Sequence, residues 1–278
     1  MSQPLPEEYV IEARAVHAID GKELFRYREL LFFFTWRDVK VKYKQTALGF
    51  LWAILQPLLM TVISTVVAAR ALHVPSVDMP YPVFAFSGWL LWTVFSSGII
   101  NAGNSMVTNA QIIKKIYFPR LIIPVSALLS AVVDFAIAFV VLLPLLFVYQ
   151  APVNVGQALL CWPAGLVLTV LGALGPGCLL GALNVKYRDF RYVIPFLTQA
   201  LLFVTPVFYP VSLVTVPWLK YLLALNPVYA GFTLFRLPLM TVVPDPTLIG
   251  MSVGSCALLL FAGLIYFRRT EMYFADLA

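Results

Sequence analysis

The sequence predicts an all-α integral membrane protein: six transmembrane helices, an N-terminal amphipathic interfacial helix, and re-entrant outer helices between spans 5 and 6. Three observations predict it. Of the 278 residues, 61% are hydrophobic and 12% are charged, against about 25% charged in an average soluble domain. The apolar residues gather in uncharged runs close to the roughly 20 residues a helix needs to cross hydrocarbon. The basic residues fall between those runs, with 16 of the 19 on alternate connections that share one side. Helices are required because isolated strands would leave backbone polar groups unpaired in lipid.

In chain order, residues 1–20 are polar and lack the apolar core of a signal peptide, so the N-terminus is expected to be retained. From Lys22 to Lys44, Leu24, Tyr27, Leu31 and Phe34 recur at helical spacing. Lys22, Arg26, Glu29, Arg37, Lys40 and Lys44 mark a second stripe, interrupted by Phe33. That pattern predicts a helix lying in the membrane interface, either as a simple anchor or as a contact for a cytoplasmic partner as well. The expected spans are Ala47–Ala69, Pro82–Gly103, Leu121–Tyr149, Ala158–Leu183, Tyr192–Tyr209 and Thr247–Phe267. Between the last two lie Val216–Leu225 and Val228–Met240. Each is too short to cross, and Asn226-Pro227 separates them. They read as helices dipping from the outer face, either an outer gate or a plug. The resulting plan is a cytoplasmic N-terminus over 1–46, a six-span domain over 47–267 and a cytoplasmic tail over 268–278.

Charge sets the orientation. Lys and Arg cluster in the N-terminal segment, in the connection holding Lys114, Lys115 and Arg120, in that holding Lys186, Arg188 and Arg191, and at Arg268 and Arg269. The positive-inside rule places all of these, and both termini, in the cytoplasm. The Gln111–Pro124 connection stands out as a basic, proline-punctuated break between two long apolar runs, of which the second carries Asp134 as its one charge.

The net charge of +6 does not indicate nucleic acid, because the bases are dispersed between spans rather than gathered on one patch. Cys161, Cys178 and Cys256 lie inside apolar runs and read as small buried hydrophobes. There is no Gly-rich loop ending in Lys-Ser or Lys-Thr, so no ATP site of that kind is expected in this chain. His17 and His73 are the only histidines, and no serine triad is evident. Asp134 is the only acid well inside an expected span. Such a residue is costly in lipid, and pairing with a base, facing a wet cavity, or a structural helix contact all remain open. Gly177/Gly181 and Gly250/Gly254 permit close helix packing, within the chain or between copies.

Several stretches resemble the ABC-2 permeases that export polysaccharides and polyol phosphates, the membrane subunits for O-antigen, capsule and teichoic acid export. The first holds Arg37, Asp38, Lys42, Tyr43, Thr46, Leu48, Gly49 and Trp52, then Gln56, Pro57 and Leu58. Lys42 stands where the family often has Arg. The second holds Gly88, Trp89, Trp92 and Phe95, then Asn109 and the run Lys114, Lys115, Tyr117, Phe118, Pro119 and Arg120. The family commonly has Leu at the position of Gln111 or Ile112. The third holds Asn184, Tyr187, Arg188 and Asp189, then Thr205, Pro206, Tyr209 and Pro210, then Asn226, Pro227 and Arg236. Glu271, Phe274 and Asp276 close the series.

The resemblance implies a half-transporter in the bacterial inner (plasma) membrane, without its own ATPase site or cofactor. Its partners would be a second copy of itself, two nucleotide-binding ABC ATPase subunits that carry ATP and Mg, a lipid-linked glycan, and membrane lipids. Lys114, Lys115, Tyr117, Phe118, Pro119, Arg120, Tyr187, Arg188 and Asp189 would couple to the ATPase; Arg37, Lys42 and Tyr43 would mark the interfacial helix, where Arg37 and its neighbours could complete that surface. Positive-inside orientation alone explains the side these bases occupy, but not their Tyr-Phe-Pro-Arg and Tyr-Arg-Asp context. Sugar C–H faces can lie on aromatic rings, so Tyr81, Trp89, Trp92, Phe95, Phe203, Phe208 and Tyr209 are candidate pathway lining. The same rings would also suit an interfacial belt. Pro210, Asn226, Pro227 and Arg236 are the candidate outer gate. The alternatives are an exporter of a small lipophilic molecule, or an ATP-independent membrane glycosyltransferase.

Overall fold

Ten α-helices, separated by short turns, make up the computed structural model, which describes residues 25–44, 46–68, 79–116 and 118–271. Among the described residues there is no strand. The expectations at Leu24, Tyr117 and residues 272–278 lie outside the described residues. The helices are α1 (Arg28–Lys44), α2 (Leu51–Val67), α3 (Tyr81–Thr108), α4 (Ala110–Ile113), α5 (Ile122–Val148), α6 (Val155–Lys186), α7 (Phe190–Val204), α8 (Pro217–Ala224), α9 (Tyr229–Arg236) and α10 (Pro246–Glu271). Short 3-10 turns cover Val211–Leu213 and Leu237–Leu239.

Among the described residues, four helices are long and apolar enough to cross a membrane: α3, α5, α6 and α10. Each coincides with an expected span. The other two expected spans are shorter than the sequence implied. α2 has 17 residues and α7 has 15, so they reach about 26 and 22 Å at 1.5 Å per residue, against a hydrocarbon thickness of about 30 Å. α8 and α9 form a pair bent by 98°. The bend falls at Asn226-Pro227, where proline lacks the amide hydrogen that would continue a helix.

α3 is the centre of the bundle. It packs against α5, α6, α2 and α7, and Phe86, Leu90, Leu91, Phe95 and Ile99 are buried along it. α6 lies between α3, α9 and α10. Small residues permit these crossings. A Cβ on Gly177 would come 2.8 Å from the Ala102 Cβ, so the Gly177/Gly181 pair faces α3 within the chain. The other expected pair does not act this way, because a Cβ on Gly250 or Gly254 would meet nothing within 4 Å. On α10 the close contact falls instead at Gly263, whose Cβ would sit 2.1 Å from the Gly175 carbonyl oxygen. Gly263→Val is therefore predicted to force α6 and α10 apart. It should lower stability by about 1–3 kcal/mol, read as a reduced melting temperature in detergent.

The amphipathic description of α1 needs revision. Tyr27, Leu30, Leu31 and Phe34 do pack inward, as the spacing predicted. The opposite side is not a purely basic face, since Phe32, Phe33 and Trp36 are exposed among the charges. The helix thus has two apolar faces. The inward one runs along α5, from Phe34 against Phe118 to Lys42 and Tyr43 against Asp134, near the middle of α5. Gly49, with φ of +51°, makes the turn into α2, a conformation that a side chain would strain.

Candidate functional site

Two regions have chemistry beyond packing: a groove on the flank of the bundle, and the end that bears the basic connections. The groove lies between α2, α3 and α7 as a half-open cavity of about 270 Å³. α3 contributes Trp89, Trp92, Thr93, Ser96, Ser97 and Ile100, which share one helical stripe. Gln56, Pro57 and Met60 come from α2, and Pro195, Thr198, Gln199 and Leu202 from α7. Two indoles thus sit among three serine or threonine hydroxyls of α3 and two carboxamides. The Thr93 and Ser96 hydroxyls donate 2.7 Å bonds back to Trp89 and Trp92 carbonyls, which leaves their lone pairs as acceptors. Gln56 and Gln199 each offer donors and an acceptor. A surface that combines flat aromatic faces with neutral hydrogen-bonding groups and no charge suits a neutral polyhydroxylated chain.

The predicted lining divides accordingly. Trp89 and Trp92 line the cavity. Phe208 stacks on Trp89 at 6.4 Å and 17°, and Tyr209 meets Phe208 edge-on at 5.5 Å, so both support the wall from behind. Tyr81 donates a 2.7 Å bond to the Phe208 carbonyl. Phe95 is a correction: it is fully buried in the core, because it faces the opposite side of α3 from Trp89. Phe203 is exposed on α7, one turn beyond Gln199, and is not among the residues that line the cavity. The polar members went unrecognised, although Thr93, Ser96 and Ser97 interrupt an otherwise apolar run at helical spacing.

At the basic end, the chain after α4 exposes Lys114, Lys115 and Ile116 and then turns inward. Phe118 and Pro119 are buried, with the Phe118 ring 5.6 Å from that of Phe34. They are thereby corrected from docking contacts to internal supports of the loop. Arg120 is also engaged: its backbone N–H donates to Glu271 Oε1 at 3.1 Å, and its guanidinium donates to the Glu271 carbonyl. Glu271 Oε2 accepts a 3.1 Å bond from Arg268, so the loop is fastened to the end of α10. Arg37 donates to Asp38 and to Asn109, both at 2.8 Å, and so ties α1 to the kink between α3 and α4. The second basic connection differs, because Lys186, Tyr187, Arg188 and Asp189 are all exposed. Its root is fixed by Asn184, which donates to the Gly103 carbonyl at 3.0 Å and to Asn104 Oδ1 at 3.1 Å.

Asp134 accepts from Lys42 Nζ on one carboxylate oxygen and from the Tyr43 hydroxyl on the other. The acid is 5% exposed and Lys42 is 46% exposed. Burial, reinforced by hydrogen bonding to Asp134, raises the Tyr43 phenol well above its ordinary value, so it remains a donor through the physiological range. Lys42 and Tyr43, expected on the interfacial helix, anchor α1 on α5 through Asp134. At the far end, Asn226 donates to Thr205 Oγ1 at 2.7 Å, and its carbonyl accepts from Ser252 at 2.7 Å. The bend thus bridges the end of α7 and α10, with Pro210 half-buried beside it.

The comparisons with known proteins agree with this architecture. Residues 29–240 match the family model described as ABC-2 type transporter. A protein named O-antigen export system permease protein RfbA, from Klebsiella pneumoniae, is 27% identical over 253 residues, covering 90% of this chain and 95% of the relative. A protein of the same name from Myxococcus xanthus is 28% identical over 260 residues, covering 91% and 96%. The polysialic acid transport protein KpsM of Escherichia coli is 26% identical over 247 residues, covering 84% and 91%. The chain is a multi-pass membrane protein, and it belongs to the ABC-2 type transporter family.

Proposed function

We propose that this chain is the membrane subunit of an ATP-driven exporter that moves a lipid-linked polysaccharide of the O-antigen kind across the bacterial inner membrane. The observation that carries the proposal is the groove, uncharged, aromatic and hydroxyl-rich, and half-open in the single chain. Its flanking helices are only lightly embedded in the bundle. Of α2 only Pro57 and Thr61 are buried, and of α7 only Ile194 and Thr198. A second copy set against α2 and α7 would close two such grooves into one pathway. The relatives' names support a glycan polymer as the cargo.

In this reading α2 and α7 complete a set of six spans, with local thinning of the bilayer around the shorter two. Both termini are cytoplasmic in this reading, which the placement of the bases supports. The spans occupy 47–267, between a cytoplasmic segment over 1–46 and a tail over 268–278. Two ABC ATPase subunits, which hold ATP and Mg, dock on the exposed Lys114–Ile116 turn and on Lys186–Asp189. The bent α8–α9 pair covers the outer mouth.

Motion from the ATPase would enter α7 directly, because the helix begins one residue beyond Asp189. It would enter α5 and α10 through Arg120 and Glu271. Gln199→Trp tests the groove. Gln199 is exposed, so the larger side chain carries little folding cost. Export should fall more than about tenfold, while hydrolysis by the ATPase subunits stays within about twofold, since steric exclusion of the polymer alone needs only about 1.4 kcal/mol. Unchanged export would remove Gln199 and its neighbours from the pathway.

A further inference from the structure

Arg236 ends α9 and is 4% exposed. Its guanidinium lies 3.7 Å from the Phe84 ring centroid. Nη1 donates to the Pro206 carbonyl at 2.7 Å, and Nη2 to the carbonyls of Val207 at 2.6 Å and Phe84 at 3.1 Å. Nε donates to Ser87 Oγ at 3.3 Å. These partners are all neutral. They belong to α3 on one side and to the chain just beyond α7 on the other.

A cation buried among neutral groups is expensive, and only charge-assisted hydrogen bonds offset the loss of water. The carbonyls it meets explain the location. Pro206 and Val207 follow the last turn of α7, where no helical amide is available to them. The negative end of the α7 dipole also lies there. α3 is shaped to admit the group. A Cβ on Gly88 would sit 2.2 Å from the Val207 oxygen and 2.3 Å from Arg236 Nη2. Asn226 holds the same segment through Thr205. α7 has few other buried contacts, so this cluster fixes its far end.

We infer that Arg236 is a positioning residue that pins the far end of α7 to α3 and so sets the width of the groove between Trp89 and Gln199. The pinning stands on the contacts around Arg236. Its consequence for the groove rests on the reading of that cavity as the pathway.

The test uses the full chain in membranes, with Cys161 and Cys256 replaced by alanine and the fully buried Cys178 retained as an internal reporter of global opening. Val207→Cys reports release of the pinned segment, because Val207 is itself fully buried. Arg236→Met and Gly88→Ala should raise maleimide labelling at position 207 by about tenfold, the effect of losing one hydrogen bond to a charged group, while labelling of Cys178 stays unchanged. Arg236→Lys, which retains charge but not the fork, should fall between. In a parallel chain carrying Gln199→Cys, Arg236→Met should also change labelling at 199 by a bulky maleimide. If 207 is unaffected, or if 207 and Cys178 open together, the pin is refuted and Arg236 is a general fold contact. If 207 opens while 199 does not change, Arg236 does not set the groove. If 199 resists labelling even with Arg236 intact, the groove reading fails, and positions 207 and 178 still decide the pin.

Discussion

Substituting methionine for Lys42 will destabilise the protein more than substituting alanine for Asp134, although both remove the same ion pair. The two partners are not equally buried. Asp134 is 5% exposed, near the middle of α5, whereas Lys42 is 46% exposed. Removing Lys42 strands a carboxylate in an apolar bundle, and breaking a buried pair in that way costs about 3–5 kcal/mol. Removing Asp134 strands an amine that can turn toward water or lipid headgroups along its own flexible stem. About half that cost is expected in this case, most of it from the orphaned Tyr43 hydroxyl and lost packing. The double variant should cost less than the sum of the two. Melting temperatures of the purified variants, arranged as a double-mutant cycle, read these terms directly. Equal effects would mean that the pair is solvated and that α1 is held to α5 by Phe34 and its neighbours alone.

The second large effect concerns the basic end. Tyr187 and Arg188 are exposed and have the side-chain types that dominate protein interfaces, where single truncations can cost 2 kcal/mol or more. Tyr187→Ala combined with Arg188→Glu should therefore weaken capture of the ATPase by about a hundredfold or more, and abolish export, while the chain inserts and folds normally. Phe118→Ala provides the contrast. Its ring is buried against Phe34, so truncation should cost about 3–5 kcal/mol of stability, and any loss of export would follow from a damaged fold. Pull-down of the ATPase with each variant, scored beside its melting temperature, separates the two roles. Retained capture by the Tyr187/Arg188 double variant would move the docking site elsewhere.

These two predictions also show what was legible in the sequence. The four long spans were legible because an apolar run of more than 20 residues with at most one charge permits few other structures. The inward face of α1 was read from spacing alone, through Tyr27, Leu31 and Phe34. The outward aromatics of α1 went unread apart from Phe33, because the charges among them dominate that side of the helix.

Residue type marked Asp134 as costly in lipid and left a paired base, a wet cavity or a helix contact open. Nothing in one dimension brought Lys42 and Tyr43, some 90 positions earlier, to the same place. Aromatic content pointed to a pathway, but aromatic residues on one helix face different ways. Trp89 and Trp92 line the groove, whereas Phe95, three residues beyond Trp92, is core. The hydroxyls of Thr93, Ser96 and Ser97 were the better signal, since polar groups without a structural role are rarely kept in an apolar span. Burial of Phe118 could not be anticipated, because its partner Phe34 lies on a different helix. Gly263 was overlooked because its close neighbour, Gly175, is distant in sequence, whereas Gly250/Gly254 matched a local pattern that no packing within the chain uses.

The central claim is that this chain provides the path and a separate ATPase provides the energy. It is tested most directly in sealed vesicles that contain the chain with its ATPase subunits, loaded with a lipid-linked glycan on the ATP-accessible face. The account predicts that glycan becomes protected from added glycosidase only when the chain, the ATPase and hydrolysable ATP are all present, and that Gln199→Trp stops this while ATP hydrolysis continues. Protection at the same rate without the ATPase, or in the Gln199→Trp variant, would contradict it.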